Sequence, residues 1–280
     1  MESIRLNSSA SLPTLGLGTW RVKGFQPIFT ALDAALGSGY RLFDTAHLYE
    51  NESEIGRSLK ELLPKYGLCR NDIFLTTKLM GPTEKVRTGV LESLSCLQTD
   101  YLDLVLLHYP MPVPWSSDGP SRHKSPDNKR RCREGVIRAI GVSNYEISHL
   151  AEFSDYQTIR PALNQFELHP HRTRQSLVAK CRETDIKVQA FASMGKYRPE
   201  LIDEPVLQEI AQRLNATVAQ VLLAWAMQQG IGVLPKSTHP DRIRSNFEAV
   251  NLKLSEIDLK RISALNKDQS YSSANFADVL

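Results

Sequence analysis

Cysteine is scarce in this chain and follows no pattern: Cys69, Cys96, Cys132 and Cys181 show no C-x-x-C spacing. That excludes a disulfide framework and favours a reducing compartment, so a cytoplasmic protein is expected. Long apolar runs are missing too, so no bilayer span is expected. The first residues, Met1-Glu2-Ser3-Ile4-Arg5, lack the basic-then-apolar pattern of a signal peptide. The glycosylation patterns at Asn51 and Asn215 therefore carry no weight. Charge of one sign is not in excess: 34 basic residues face 31 acidic ones, a net of +3. This balance argues against nucleic acid or an anionic membrane as partner. Linkers, internal repeats and low-complexity tracts are absent, so residues 1–280 are read as one domain.

What the chain does have is alternation. At 280 residues with 41% apolar side chains, it suits one large α/β barrel. Strand candidates lie at Leu15–Gly18, Tyr40–Phe43, Ile73–Thr77, Leu102–Leu107, Ile137–Val142, Ala162–Phe166, Lys187–Ala192 and Ile231–Pro235. Helical stripes separate most of them, as in Val86, Val90, Leu94 and Leu97. Two helices, Pro205 to Leu214 and Thr217 to Gln229, precede the eighth strand, and a last helix begins near Asp241. A turn-rich start predicts a hairpin plugging the barrel bottom. Eight strands alternating with helices predict an α/β fold, a (β/α)8 TIM barrel.

The pattern falters between strands 4 and 5. Ser125-Pro126-Asp127 is a good helix start and Gly135 a good stop, yet residues 128–134 carry one apolar side chain. A truncated or poorly packed helix is expected there, leaving the strands at Leu102 and Ile137 poorly covered. A missing stripe of three or four apolar side chains forfeits about 5–10 kcal/mol, comparable to the whole stability of a typical domain.

Polar residues close the early strands. Asp44 follows Phe43, Tyr49 lies in the next loop, Lys78 follows Thr77, and His108 follows Leu107. Residues at the same end of successive barrel strands share one rim, where active sites are built. A phenol is a weak acid at neutral pH. A neighbouring ammonium such as Lys78 is expected to lower the Tyr49 pKa, with Asp44 holding that ammonium and His108 orienting a carbonyl oxygen.

These residues sit in segments that resemble the aldo-keto reductase family. Residues 39–52, from Gly39 through Asp44 and Tyr49 to Glu52, look like its first signature, and 102–110 like the segment with its catalytic histidine. Gly141-Val142-Ser143-Asn144 and Leu163-Asn164-Gln165 resemble its nicotinamide-contacting strands. Leu234-Pro235-Lys236-Ser237, followed by Arg242 and Asn246, resembles its cofactor clamp. The resemblance runs from about Leu12 to Leu254 with the motifs in order.

The resemblance implies NADPH-dependent reduction of a small-molecule aldehyde or ketone, without metal, by a monomer. Tyr49 would be the proton donor, supported by Lys78 and Asp44, with His108 orienting the substrate. Gly18, Thr19, Trp20 and Asp44 would border the cofactor, while Ser143, Asn144 and Gln165 would bond its carboxamide. Phe191, where the family usually has tyrosine, would stack on the nicotinamide. Lys236, Ser237 and Arg242 would grip the 2′-phosphate through charge-assisted bonds, and Asn246 would contact adenine. Ser245 stands where many members have glutamate, which puts one adenine contact in doubt. Trp20 and Tyr109 would wall the substrate pocket. The segment after Phe191 is short for the family. The tail after Leu265 is brief and polar, so substrate selection from that side is expected to be loose.

Other motifs are read more plainly. Gly16-Leu17-Gly18 is a weak dinucleotide signal, since Arg21 takes the third glycine position. His169-Pro170-His171 suggests a metal pair, but no acidic or cysteine cluster accompanies it in sequence. Arg122-His123-Lys124 and Lys129-Arg130-Arg131 read as a solvated loop, and Cys132 as an exposed thiol. Two alternatives stand beside the reductase. One is a catalytically impaired relative, truncated by an omitted exon, that binds NADPH or a partner without turnover. The other is a phosphate-binding barrel isomerase or lyase.

Overall fold

The computed structural model describes residues 2–8, 10–80, 83–110, 115–116, 119–120, 135–157 and 159–272. A hairpin of β1 (Ser3–Arg5) and β2 (Ser11–Pro13) comes first. The barrel strands follow: β3 (Leu17–Gly18), β4 (Leu42–Asp44), β5 (Phe74–Leu79), β6 (Leu104–Leu107), β9 (Ile140–Ser143), β10 (Leu163–Glu167), β11 (Lys187–Phe191) and β12 (Gly232–Val233). A short antiparallel pair, β7 (Trp115–Ser116) and β8 (Gly119–Pro120), lies between β6 and β9 in the chain. Each barrel strand pairs in parallel with its neighbour in the order β3-β4-β5-β6-β9-β10-β11-β12.

The ring closes where Leu15 bridges Val233 in parallel. Gly16 N–H donates to Val233 O at 2.9 Å and Gly18 N–H to Pro235 O at 3.0 Å. A Cβ at Gly16 would lie 2.4 Å from Leu42 Cγ, so only glycine lets this seam pass over the core.

Helices α1 (Phe25–Ser38), α2 (Glu52–Lys65), α3 (Thr83–Leu97), α4 (Ile147–Tyr156), α5 (Gln175–Glu183), α7 (Pro205–Arg213), α8 (Val218–Met227) and α9 (Pro240–Phe247) occupy the connections, with a one-turn α6 at Pro199–Ile202. Apolar packing falls into two layers. Leu12, Leu42, Phe74, Leu104, Leu106 and Leu234 belong to a cluster that fills the barrel, and fully buried Leu12 carries the hairpin into its floor. The larger cluster unites the outer strand faces with the helices.

Three differences from the sequence reading matter. A further helix, α10 (Glu256–Ser263), was not expected. Its start is a capping box: Ser255 Oγ accepts from Asp258 N–H at 3.1 Å, and Asp258 Oδ2 accepts from Ser255 N–H at 3.0 Å. Asp44 and Lys78 lie within their strands rather than past them, because parallel pairing continues to Asp44↔Thr76 and Leu79↔Leu107. The expected weak helix at 125–134, with Cys132 and the basic run, lies outside the described residues. Beside it, Leu102 and Ile137 are buried, and the partial exposure falls on Leu107, Val136 and Ile140.

Candidate active site

Side chains two residues apart on a strand share a face, and this period builds the site. Leu42 and Asp44 share one face of β4, and Phe74, Thr76 and Lys78 one face of β5. Leu104 and Leu106 lead to His108, and Leu163 leads to Gln165 and Glu167. The lower members are the apolar barrel filling. The upper members are polar and buried. They stand at the C-terminal ends of the strands, the face where barrel enzymes place their chemistry.

Lys78, 1% exposed, uses all three of its donors. Its Nζ reaches Asp44 Oδ1 at 2.5 Å, Thr45 O at 2.9 Å and the Tyr49 hydroxyl at 3.3 Å. The other carboxylate oxygen of Asp44 accepts from Gln165 Nε2 at 2.9 Å, and that nitrogen also donates to Gln189 Oε1 at 2.9 Å. A buried ion pair is tolerated when its remaining lone pairs and protons are satisfied in this way.

Tyr49 ends a 3-10 turn, His47–Tyr49. Asn51, fully buried, fixes that loop. Its Oδ1 accepts from Thr45 Oγ1 at 2.7 Å, and its Nδ2 donates to Thr19 O at 2.9 Å and Val22 O at 3.1 Å. The His108 ring meets the Tyr49 ring edge-on at 5.8 Å and stacks on Tyr109 at 4.5 Å. Its Nδ1 is buried without a hydrogen-bond partner.

Burial pushes the Tyr49 phenol well above its ordinary pKa, and the Asp44 charge adds to the rise. This corrects the expectation that Lys78 would lower it: the ammonium is paired to Asp44, so its field at the phenol is largely cancelled and desolvation wins. Burial likewise lowers the Lys78 pKa, with Asp44 opposing. Burial, helped by the Lys78 charge, lowers His108 to about 3, so its imidazole is neutral at physiological pH. Burial raises Tyr109 to about 12.

One pocket of about 730 Å³ joins Tyr49, His108, Tyr109 and Trp20 at one end to Lys236, Arg242 and Asn246 at the other. Between them Ser143, Asn144, Gln165 and Phe191 line its wall. Asn144 Nδ2 donates to His108 O at 3.0 Å and Ser143 Oγ at 3.1 Å, tying wall to site. Gly18 lines the pocket, where a Cβ would sit 3.1 Å from Leu234 O. Thr19 and Lys78 stand behind the wall, with Thr19 Oγ1 donating to Asp44 O at 2.9 Å.

A nicotinamide dinucleotide fits these residues. Lys236 and Arg242 are exposed and form no ion pair among the described residues. Ser193 Oγ, on the pocket wall, is buried and unpartnered. The Ser245 side chain faces Gln220, at 3.4 Å. No site role was read for Gln189, Asn51, Thr217 or Ala219, although Asn51 falls within the first signature. Gln189 and Asn51 lie beneath the site, and Thr217 and Ala219 line the pocket.

A family model described as the aldo/keto reductase family matches residues 14–267. Glyoxal reductase of Bacillus subtilis is 34% identical over 273 residues, covering 96% of this chain and 94% of the relative. Aldehyde reductase YPR1 of Saccharomyces cerevisiae is 34% identical, covering 95% and 91%. Among solved structures, the aldose reductase from Schistosoma japonicum superposes with a TM-score of 0.89 at 32% identity, covering 98% of this chain and 95% of that one.

Proposed function

The chain belongs to the aldo/keto reductase family, and from that premise we propose that it reduces aldehydes or ketones to alcohols with NADPH, Tyr49 donating the proton. The observation that carries this reading is the 3.3 Å hydrogen bond from Lys78 Nζ to the Tyr49 hydroxyl, inside a pocket that also holds His108.

NADPH, when bound, supplies the hydride to the carbonyl carbon. The protein's residues handle the oxygen. His108, neutral, donates a hydrogen bond to it and sets its orientation. Tyr49 gives its hydroxyl proton to the developing alkoxide. The phenolate left behind accepts from the Lys78 ammonium, which Asp44 keeps in place. The phenol is protonated at physiological pH, so it has a proton to give, and the hydrogen bond from Lys78 favours the phenolate that forms as the proton leaves.

For the cofactor, Ser143, Asn144 and Gln165 would bond the carboxamide, and Phe191 would offer its ring face. Lys236, Ser237 and Arg242 would hold the 2′-phosphate, with Asn246 at the adenine. The same reading takes the chain as a cytoplasmic monomer of one domain.

Tyr49→Phe tests the mechanism. Turnover of a reactive aldehyde should fall by about 10²-fold or more, the scale of lost general acid catalysis, while NADPH binding followed by fluorescence stays intact. Unchanged turnover in that variant removes Tyr49 as the donor.

A further inference from the structure

Glu167 and the two histidines of the His169-Pro170-His171 motif take no part in the chemistry above, yet their three side chains are buried. Glu167 is the last residue of β10 and points into the same rim as Gln165. Its Oε1 accepts backbone N–H groups from Tyr271 and Ser272, each at 2.8 Å. Its Oε2 accepts from Ser270 Oγ at 2.5 Å and lies 3.4 Å from Arg172 Nη1. His169 Nε2 lies 3.3 Å from Glu167 Oε1, and the His169 ring stacks on Tyr271 at 5.0 Å.

His171 grips the same segment from behind. Its Nε2 is 2.7 Å from Glu204 Oε1 and its Nδ1 is 2.7 Å from the Tyr271 hydroxyl. A neutral imidazole donates to the carboxylate through Nε2–H and accepts the tyrosine proton at Nδ1. Burial lowers the His171 pKa and favours that neutral form. The His171 carbonyl accepts from Lys267 N–H at 3.1 Å and Gln269 N–H at 2.9 Å. Lys267 Nζ closes the loop on Glu204 Oε1 at 2.6 Å. Burial works to raise the Glu167 pKa, but the bonds from His169, Ser270 and the Tyr271 N–H outweigh it and hold it at about 2, so the anchor stays charged in any working buffer.

Ser270, Tyr271 and Ser272 are thus tied to the end of β10 by charge-assisted bonds to the Glu167 carboxylate, and Lys267 and Gln269 to the His171 carbonyl beside it. Ser272, the last residue so tied, lines the pocket that holds Tyr49 and His108. We propose that Glu167 and His171 are positioning residues that dock residues 266–272 as a fixed wall of the substrate pocket, and so set binding of bulky carbonyl substrates. This rests on the reductase reading above. On this proposal selection from the tail side is tighter than its brief, polar sequence suggests, because its polar groups find buried partners in Glu167 and His171.

The test compares Glu167→Ala, Glu167→Gln and Tyr271→Phe in the full chain, using propanal and benzaldehyde. In Glu167→Ala the KM for benzaldehyde should rise about tenfold, the scale of losing bonds to one charged acceptor, while kcat and the NADPH Kd stay within about twofold. Propanal, too small to need the wall, should keep its KM. Glu167→Gln still offers an oxygen to the two N–H groups and should restore the benzaldehyde KM. Tyr271→Phe removes only the His171 bond and should act in the same direction, more weakly.

Hydrogen exchange at the Tyr271 and Ser272 amides reads docking without turnover: protected in the wild type and Glu167→Gln, fast in Glu167→Ala. An unchanged benzaldehyde KM in folded Glu167→Ala, or amides still protected there, overturns the proposal. If Glu167→Ala does not fold, an unchanged benzaldehyde KM in both other variants with fast exchange in the wild type does the same. A wild type without turnover removes the reductase reading, while the exchange result still decides the docking.

Discussion

Gln165 and Asp44 lie 121 residues apart and on opposite sides of the barrel, yet Gln165 Nε2 donates to Asp44 Oδ2 at 2.9 Å. With three barrel strands between one and the other around either arc, the bond crosses the interior. The carboxylate that pairs with Lys78 is therefore held from both sides of the ring.

Asp44→Asn should expose the cost of that arrangement. Removing one partner of a buried ion pair strands the other, at about 3–5 kcal/mol. Lys78, whose pKa burial already depresses, should then shed its proton. Urea denaturation should show the loss of stability. Turnover should fall even at temperatures where the variant is folded, because the Tyr49 phenolate loses its cation.

The pH dependence of turnover should show no inflection near 6.5 from His108. Its folded-state pKa is about 3, against about 6.5 for an unfolded histidine. The unfolded chain binds the extra proton between those values, so stability falls as pH drops from about 6.5 towards 3. An NMR titration of the imidazole, with melts across that range, checks both statements.

Lys236→Ala and Arg242→Ala should each weaken NADPH binding by about tenfold, the order of one charge-assisted hydrogen bond. NADH, lacking the 2′-phosphate, should bind almost as before. Fluorescence titrations with both cofactors measure the difference. Equal losses for the two would move these cations away from the phosphate.

Gly16→Ala places a methyl 2.4 Å from Leu42 Cγ at the barrel seam. Overpacking of this kind costs about 1–3 kcal/mol, so the denaturation midpoint should drop while the site above the seam keeps its geometry. A variant as stable as the wild type means that Leu42 repacks freely.

Much of this was legible in the chain. The alternation of strand and helix gave the barrel, and polar residues closing the strands gave Asp44, Lys78 and His108, with Tyr49 in the loop just after Asp44, because both are local in the chain. What escaped depends on distance. Gln189 acts through Gln165, Asn51 through backbone carbonyls of an earlier loop, and Glu167 through residues more than a hundred positions later. No spacing rule announces such pairs. The Tyr49 pKa escaped for a related reason: Lys78 and Asp44 cancel each other only when both are seen beside the buried phenol. The missed helix α10 was different, since Ser255 and Asp258 carried its start signal in plain view.

Asn51 joins two parts of the rim. A single amide grasps the loop bearing Tyr49 and the turn bearing Trp20, so the positions of the acid and the indole are coupled through it. Any exchange at position 51 would therefore blur two properties at once, which proton is delivered and which molecule is admitted, and natural variation could not adjust either alone through that position.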